Sequence, residues 1–182
     1  AVRHVEATMC IPLPLPNDIR YRYDLAGGAT MDTGCYTISV VRFLANAEPE
    51  VVSAEARLAR PNVDRWMTAT LTFPGGVSGR ITCSLFSATL LKLQAIVRGE
   101  RGEMRVFNPI APHFYNRLSV RTASGSSAER VAGDATYTHQ LRAFVAAVRD
   151  GTPTPTDPAN GVANMVVIDK VYEKAGLSLR GH

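Results

Sequence analysis

From residue 51 to residue 121 the chain reads as one strand pattern after another, and only then as helices. The segments VVSAEARLA (51–59), WMTATLTF (66–73), GRITCSLF (79–86), LKLQAIVR (91–98), EMRVF (103–107) and HFYNRLSVR (113–121) each alternate or carry β-branched residues. PGG (74–76) and GERG (99–102) supply turn chemistry between them. The first ten residues, AVRHVEATMC, alternate as well. That strand begins without a lead-in, which predicts a preceding segment. A proline-rich loop, IPLPLPNDIR, follows it. TASGSSAE (122–129) reads as a flexible loop. Strands grouped ahead of helices predict an α+β fold. The expected architecture is a large, mostly antiparallel open sheet with helices on one face, in a single domain over residues 1–182. WMTATLTF and GRITCSLF look apolar in both registers, so both faces are expected to be covered, the second by another copy of the chain.

Three helices complete the pattern. The first runs from about Ala29 to Ala45, with Met31, Cys35, Ile38, Val41 and Leu44 as its apolar stripe. The second, over residues 137–151, puts Leu141, Phe144, Val145 and Val148 on one face and stops at Gly151. TPTPTDP then forms a rigid loop, and Thr156 or Asp157 caps a third helix with Pro158 in its first turn. That helix, over about 159–175, carries Val162, Met165, Val166, Ile168 and Tyr172. GLSLRG is expected to add a short edge strand.

Composition excludes several classes. Of the 182 residues 46% are hydrophobic and 20% charged, which is globular rather than disordered. No apolar run approaches the roughly 20 residues of a membrane span, and no leader pattern opens the chain. The net charge of +4 comes without a Lys/Arg block or an aromatic-basic motif, so nucleic acid is not the expected partner. Three cysteines without a close pair point to reduced thiols and a cytoplasmic setting. His4, His113, His139 and His182 share no ligand spacing, so no metal is expected.

No complete catalytic or cofactor motif is present. AGGAT opens a helix without a hydrophobic strand before it, the other glycine clusters lie between strands, and no P-loop or G-x-S-x-G elbow occurs. What remains is Asp32 and Tyr36. At i and i+4 they share one side of the first helix, about 100° round from its apolar stripe. A carboxylate beside a phenol can hold a substrate hydroxyl, and the phenol can move a proton once a cation lowers its value from about 10. Gly34 between them costs roughly 1 kcal/mol relative to alanine, which fits a close approach to the backbone. An ordinary reading also stands: a first-turn acid favoured by the helix dipole, and a core aromatic. Arg20, Arg22 and Tyr23 are candidates for substrate contact or for a solvated strand face. His113 and His139 read as structural or surface groups, His139 with a route to the pocket. Cys35 and Trp66 read as packing.

GGATMDTGCYTISVVRFL, EPEVVSAEA, VDRWMTATLTFPGGVSGRITCS, IVRGERGEMRVFNP and the stretch from YTHQLRAF to VIDKVYEKAG together resemble the C-terminal domain of the glucose-fructose oxidoreductase / inositol dehydrogenase / rhizopine-catabolism (Gfo/Idh/MocA) family. Within it they are most similar to the dihydrodiol dehydrogenase and glucose-fructose oxidoreductase branch, where tyrosine replaces the histidine of many members at the position of Tyr36. The resemblance implies two-domain enzymes. A Rossmann domain binds NAD or NADP, and the α+β domain contacts substrate and commonly forms the oligomer interface. Hydride passes between nicotinamide and a carbinol carbon of a sugar, polyol or similar compound. It places Asp32 and Tyr36 in the catalytic pair and makes Gly34 a close-approach position toward the cofactor; Arg22, Tyr23 and His139 are the substrate-binding candidates read from the residues themselves. The Glu-Lys-Pro motif of the nucleotide domain, whose lysine works with the pair, is absent from the sequence. The expectation is therefore a substrate-binding and oligomerisation domain, inactive without its Rossmann partner, with a carbohydrate-like substrate and a homo-oligomer through the sheet. The alternative is a non-catalytic oligomerisation or ligand-binding module of the same fold.

Overall fold

The first strand lies in the middle of the sheet rather than at its edge. In the computed structural model, which describes residues 1–154 and 156–181, β1 (Val2–Cys10) pairs in parallel with β4 (Val77–Ser84) and antiparallel with β5 (Lys92–Gly99). With β2 (Glu50–Arg60), β3 (Val63–Phe73), β6 (Gly102–Phe107), β7 (Arg117–Thr122) and β8 (Gly125–Glu129), the sheet has eight strands in the order β2-β3-β4-β1-β5-β6-β7-β8. β1 and β4 form its one parallel pair, so the fold is α+β with a mostly antiparallel open sheet, as the strand pattern predicts. TASGSSAE is a turn and the exposed edge strand β8 rather than a loop. Its serines and glycine hide the alternation, and β7 imposes the pairing. GLSLRG forms no strand.

Two helices cover one face. α1 (Cys35–Ala45), led by a π-helical turn at Thr30–Gly34, packs on β1 and β4, and α3 (Pro158–Lys174) packs on β2 and on α1. Val5, Ala7, Met67, Ala69, Leu71, Ile81 and Cys83 from the strands meet Ile38, Val41, Val167, Ile168, Val171 and Tyr172 from the helices. The face α1 presents is partly polar: Thr30, Thr33 and Thr37 are buried, and the last two bond their hydroxyls to carbonyls of their own helix. Met31 and Cys35 of the expected stripe are only half-buried. In α3 the buried face is Val167, Ile168, Val171 and Tyr172, while Val162, Met165 and Val166 are exposed. The cap is as predicted, with the Asp157 carboxylate accepting from Asn160 N at 2.7 Å and Pro158 at the first position.

α2 (Thr136–Asp150) has no buried residue, and its expected core face, Leu141, Phe144, Val145 and Val148, is solvent-exposed. The helix-free face of the sheet is also not the apolar surface expected. Register places Thr68, Thr70 and Thr72 beside Thr82, Arg80 and Ser78 there, flanked by His4, Glu6 and Arg98. Trp66 on that face is covered by Arg57, 5.0 Å above its ring. Pro155 of the TPTPTDP loop and His182 lie outside the described residues. Among the described residues no helix is long and apolar enough to cross a membrane.

Candidate active site

Asp32 sits in the π turn that leads into α1. A π turn widens the helix by one residue per turn and recurs at functional sites. This one has no capping side chain of its own, because Ala29 stands at the cap position. The cap comes from β3. The Asp64 carboxylate accepts from both the backbone N and the hydroxyl of Thr30, each at 2.7 Å. A bulge places it there. Arg57 of β2 opposes Trp66 and the next residue, Leu58, opposes Asp64, so β3 has an extra residue at Arg65 and its facing reverses. Strict alternation would put Asp64 on the open face with Trp66 and Thr68. The bulge turns it under the glycine turn, where it is fully buried.

The turn before the helix is tied down on every side. Gly27 N and Gly28 N donate to the carbonyls of Arg22 and Arg20, both at 2.8 Å. Gly28 has φ +140°, and a Cβ there would lie 2.2 Å from Asp64 Oδ1. Arg20 then reaches back, its Nε donating to Asp32 Oδ1 at 2.9 Å and its Nη1 to Asp18 at 3.1 Å. Asp32 is thus an oriented, half-exposed carboxylate with a guanidinium on one oxygen.

Tyr36 lies one turn on, 46% exposed. Its phenol is pushed up from the usual tyrosine range, first by partial burial, then by Cys35, Tyr137 and Asp32. Among the described residues no cation acts to lower it, and the lysine that the expectation invokes belongs to the nucleotide domain. Cys35 beside it is pushed up to about 11 by burial, which agrees with a packing role.

The other expected residues divide. Arg22 pairs with Asp24, with Nε donating to Oδ1 at 3.2 Å. Tyr23 donates its hydroxyl to the Leu179 carbonyl at 2.7 Å, so the polar groups of both are engaged within the chain. His139 is exposed on α2, and the residue of α2 that acts on Tyr36 is Tyr137. Gly34 is buried, and the close approach it permits is to the sheet: a Cβ would lie 3.1 Å from Cys83 Sγ. Sequence reasoning missed Asp64, Thr30 and Arg180. His113, in the loop after β6, has a buried Nδ1 with no partner among the described residues. Among those residues no group of three or more His, Cys, Asp or Glu side chains is placed to hold a metal ion.

An eight-stranded α+β domain with an oriented carboxylate and a phenol at the head of its first helix defines the class. The chain belongs to the GFO/IDH/MocA family, whose C-terminal domain matches residues 1–105. The D-xylose 1-dehydrogenase (NADP(+)) 2 of Haloferax volcanii is 27% identical over 87% of this chain and 49% of its own length. The trans-1,2-dihydrobenzene-1,2-diol dehydrogenase of Mus musculus is 34% identical over 50% of this chain and 27% of its own. The crystal structure of aldose-aldose oxidoreductase from Caulobacter crescentus complexed with glycerol superposes with a TM-score of 0.86 at 19% identity, over 96% of this chain and 53% of that one, which shows the fold. The chain spans about half the length of the relatives it matches most fully.

Proposed function

We propose that residues 1–182 form a single domain, the substrate-binding half of an NAD(P)-dependent oxidoreductase acting on a CH–OH group or the matching carbonyl of a sugar, polyol or dihydrodiol. The reading is carried by the Asp32 carboxylate, oriented by Arg20 on a π turn one helical turn from a half-exposed, protonated Tyr36, in a chain of this family. The names of the xylose and dihydrodiol dehydrogenases support the substrate class and the cofactor class.

The chain's own residues do not fit the phosphates of a dinucleotide. A pyrophosphate needs free N–H groups at a helix start, and those of Gly27, Gly28 and Thr30 are bonded to Arg22, Arg20 and Asp64. NAD or NADP would be held by a further domain and would exchange hydride with the substrate carbon. Asp32 accepts a hydrogen bond from a substrate hydroxyl and fixes its orientation. Tyr36 donates a proton to the reacting oxygen, which suits carbonyl reduction. In alcohol oxidation it takes up the hydroxyl proton only after a cation from outside this chain lowers its value. Arg22 and His139 stay as outer substrate contacts in this reading, and Tyr23 as a support.

The domain also serves association, through the helix-free face of the sheet. Asp32→Asn, in the protein joined to its nucleotide-binding domain, is expected to lower kcat/KM by about 10²–10⁴-fold. Unchanged turnover removes Asp32 from the site. An isolated chain whose Asp32 and Tyr36 signals ignore xylose, inositol and a trans-dihydrodiol in NMR titrations would favour a non-catalytic module.

A further inference from the structure

The acid of the proposed site is held by residues from the far end of the sequence. Arg180 has a side chain only 1% exposed, in a segment with no regular structure of its own. Its Nε donates to the Gly27 carbonyl at 3.0 Å, its Nη1 to Ser178 O at 2.6 Å, and its Nη2 to Asn62 O at 2.6 Å. The same Nη2 lies 3.5 Å from Asp64 Oδ1. The guanidinium is also stacked between two rings, Tyr172 at 4.1 Å and Tyr23 at 4.9 Å. Tyr23 in turn donates to the Leu179 carbonyl, and Tyr172 donates to Asp64 at 3.2 Å.

These contacts meet on one short stretch. Arg180 fixes the carbonyl of Gly27 and Asp64 fixes the amide of Thr30, so both ends of the Gly27–Thr30 turn are bound. The Asp32 amide then donates to the Gly28 carbonyl inside that clamp at 3.1 Å. A buried carboxylate left without its cation would be strongly unfavourable, so the segment cannot leave without disturbing the cap on the Asp32 turn.

We propose that residues 178–180 are a latch on the site, with Arg180 and Asp64 as positioning residues that set the geometry of the Asp32 carboxylate. Neither residue touches substrate in this arrangement. Release of the segment, by a partner or by proteolysis after Lys174, frees the turn and disorders the acid while the sheet remains. The proposal rests on the reading of Asp32 as a site residue, and its test is independent of turnover.

Amide hydrogen exchange on the unaltered 182-residue chain comes first. Thr30 is expected to be protected to within about tenfold of Ile81 in β4, and a Thr30 amide that exchanges as fast as Ser124 overturns the latch. In Arg180→Lys, which keeps the charge and loses the fork of donors, Thr30 and Asp32 are expected to exchange at least tenfold faster with Ile81 and Leu71 unchanged. The chemical shift of the Asp32 carboxyl carbon at fixed pH, which a general scaffold role would leave in place, is expected to move with them. Tyr23→Phe, which removes only the bond to Leu179, is expected to loosen the same amides to a smaller degree. Equal acceleration at Ile81 and Leu71 makes Arg180 a general stability residue and overturns the proposal, as does an unmoved Thr30 amide or an unmoved Asp32 carboxyl shift. Should Asp32→Asn leave turnover intact while these results hold, the latch stands and the catalytic reading of Asp32 falls.

Discussion

Gly28 shows how one residue links the buried carboxylate to the site. Its φ of +140° lies where side chains are strained, and a Cβ would sit 2.2 Å from Asp64 Oδ1 and 2.9 Å from Tyr172 Oη. Neither oxygen belongs to a flexible surface group, so the turn itself would have to move. Gly28→Ala is expected to destabilise the chain by about 2–4 kcal/mol, the sum of a strained backbone and a displaced buried pair. Thermal melting measures it, and a loss below about 0.5 kcal/mol would show that the turn relaxes freely. Tyr36 gives a second prediction at this scale. Its phenol is raised in the folded state by burial and by Cys35, Tyr137 and Asp32. The stability tied to it is therefore complete below the unfolded value of about 10 and is lost as pH rises beyond it. In ultraviolet titration the Tyr36→Phe chain is expected to lose a tyrosine component that ionises above pH 10. Loss of a component below pH 10 would restore the lowered phenol. Asp32, Tyr36 and Gly34 were legible as a motif because they lie within five residues on one helix. Asp64 and Arg180 were not, because what makes them matter is a bulge at Arg65 and a contact across 116 positions.

The strands and helices themselves were read closely from their period and their turn residues, and the differences have physical causes. β8 has no alternation and exists because β7 offers an edge. The buried face of the π turn and α1 includes three threonines, which an apolar stripe passes over: Thr33 and Thr37 satisfy their hydroxyls within the helix, and Thr30 donates to Asp64. α3 is apolar around much of its circumference, so its period does not tell Val167 from Val166, and contact with β2 and α1 decides. The α1–α3 joint is polar. Buried Arg42 donates from Nε and Nη2 to Glu48 at 2.7 Å each, and from Nη1 to Asn164 at 3.3 Å, while Asn164 donates to the Cys35 carbonyl. The Arg42 guanidinium holds the Glu48 carboxyl below its ordinary range. Its contribution is present above the unfolded value of about 4.3 and is lost as pH falls through the lower folded value. The melting temperature of Glu48→Gln is expected to fall less steeply below pH 4 than that of the unaltered chain. Parallel curves would show that the pair contributes no stability. At the start of α3, Asp157→Ala is expected to cost about 1 kcal/mol through loss of the cap on Asn160. No change in the denaturant midpoint would mean that Pro158 alone fixes the helix start.

At the scale of the whole molecule two broad surfaces have no partner among the described residues, and they differ in chemistry. The face of α2 is apolar, with Leu141 64% and Phe144 63% exposed. The helix-free face of the sheet is a polar lattice in which Thr68 bonds Thr82 at 3.2 Å and Arg80 donates to Thr68 at 3.3 Å. A specific, stable interface buries about 1,600 Å² in total, and an eight-stranded face is broader than one fifteen-residue helix. The α2 face is nearer the size of an interface between domains of one chain, which is smaller. Sedimentation equilibrium on three chains separates these assignments. The unaltered chain is expected to be a dimer at tens of micromolar. A Thr68→Asp, Thr82→Asp chain is expected to be a monomer, because paired carboxylates meeting their own copies across a two-fold axis repel. A Leu141→Lys, Phe144→Lys chain is expected to remain a dimer and to bind less of an apolar dye. If the α2 variant is the one that becomes monomeric, the copies associate through that helix, and the open face of the sheet loses its assigned role. If the unaltered chain is itself a clean monomer, association through either surface is excluded at that concentration, and the proposed role narrows to the substrate site at Asp32 and Tyr36.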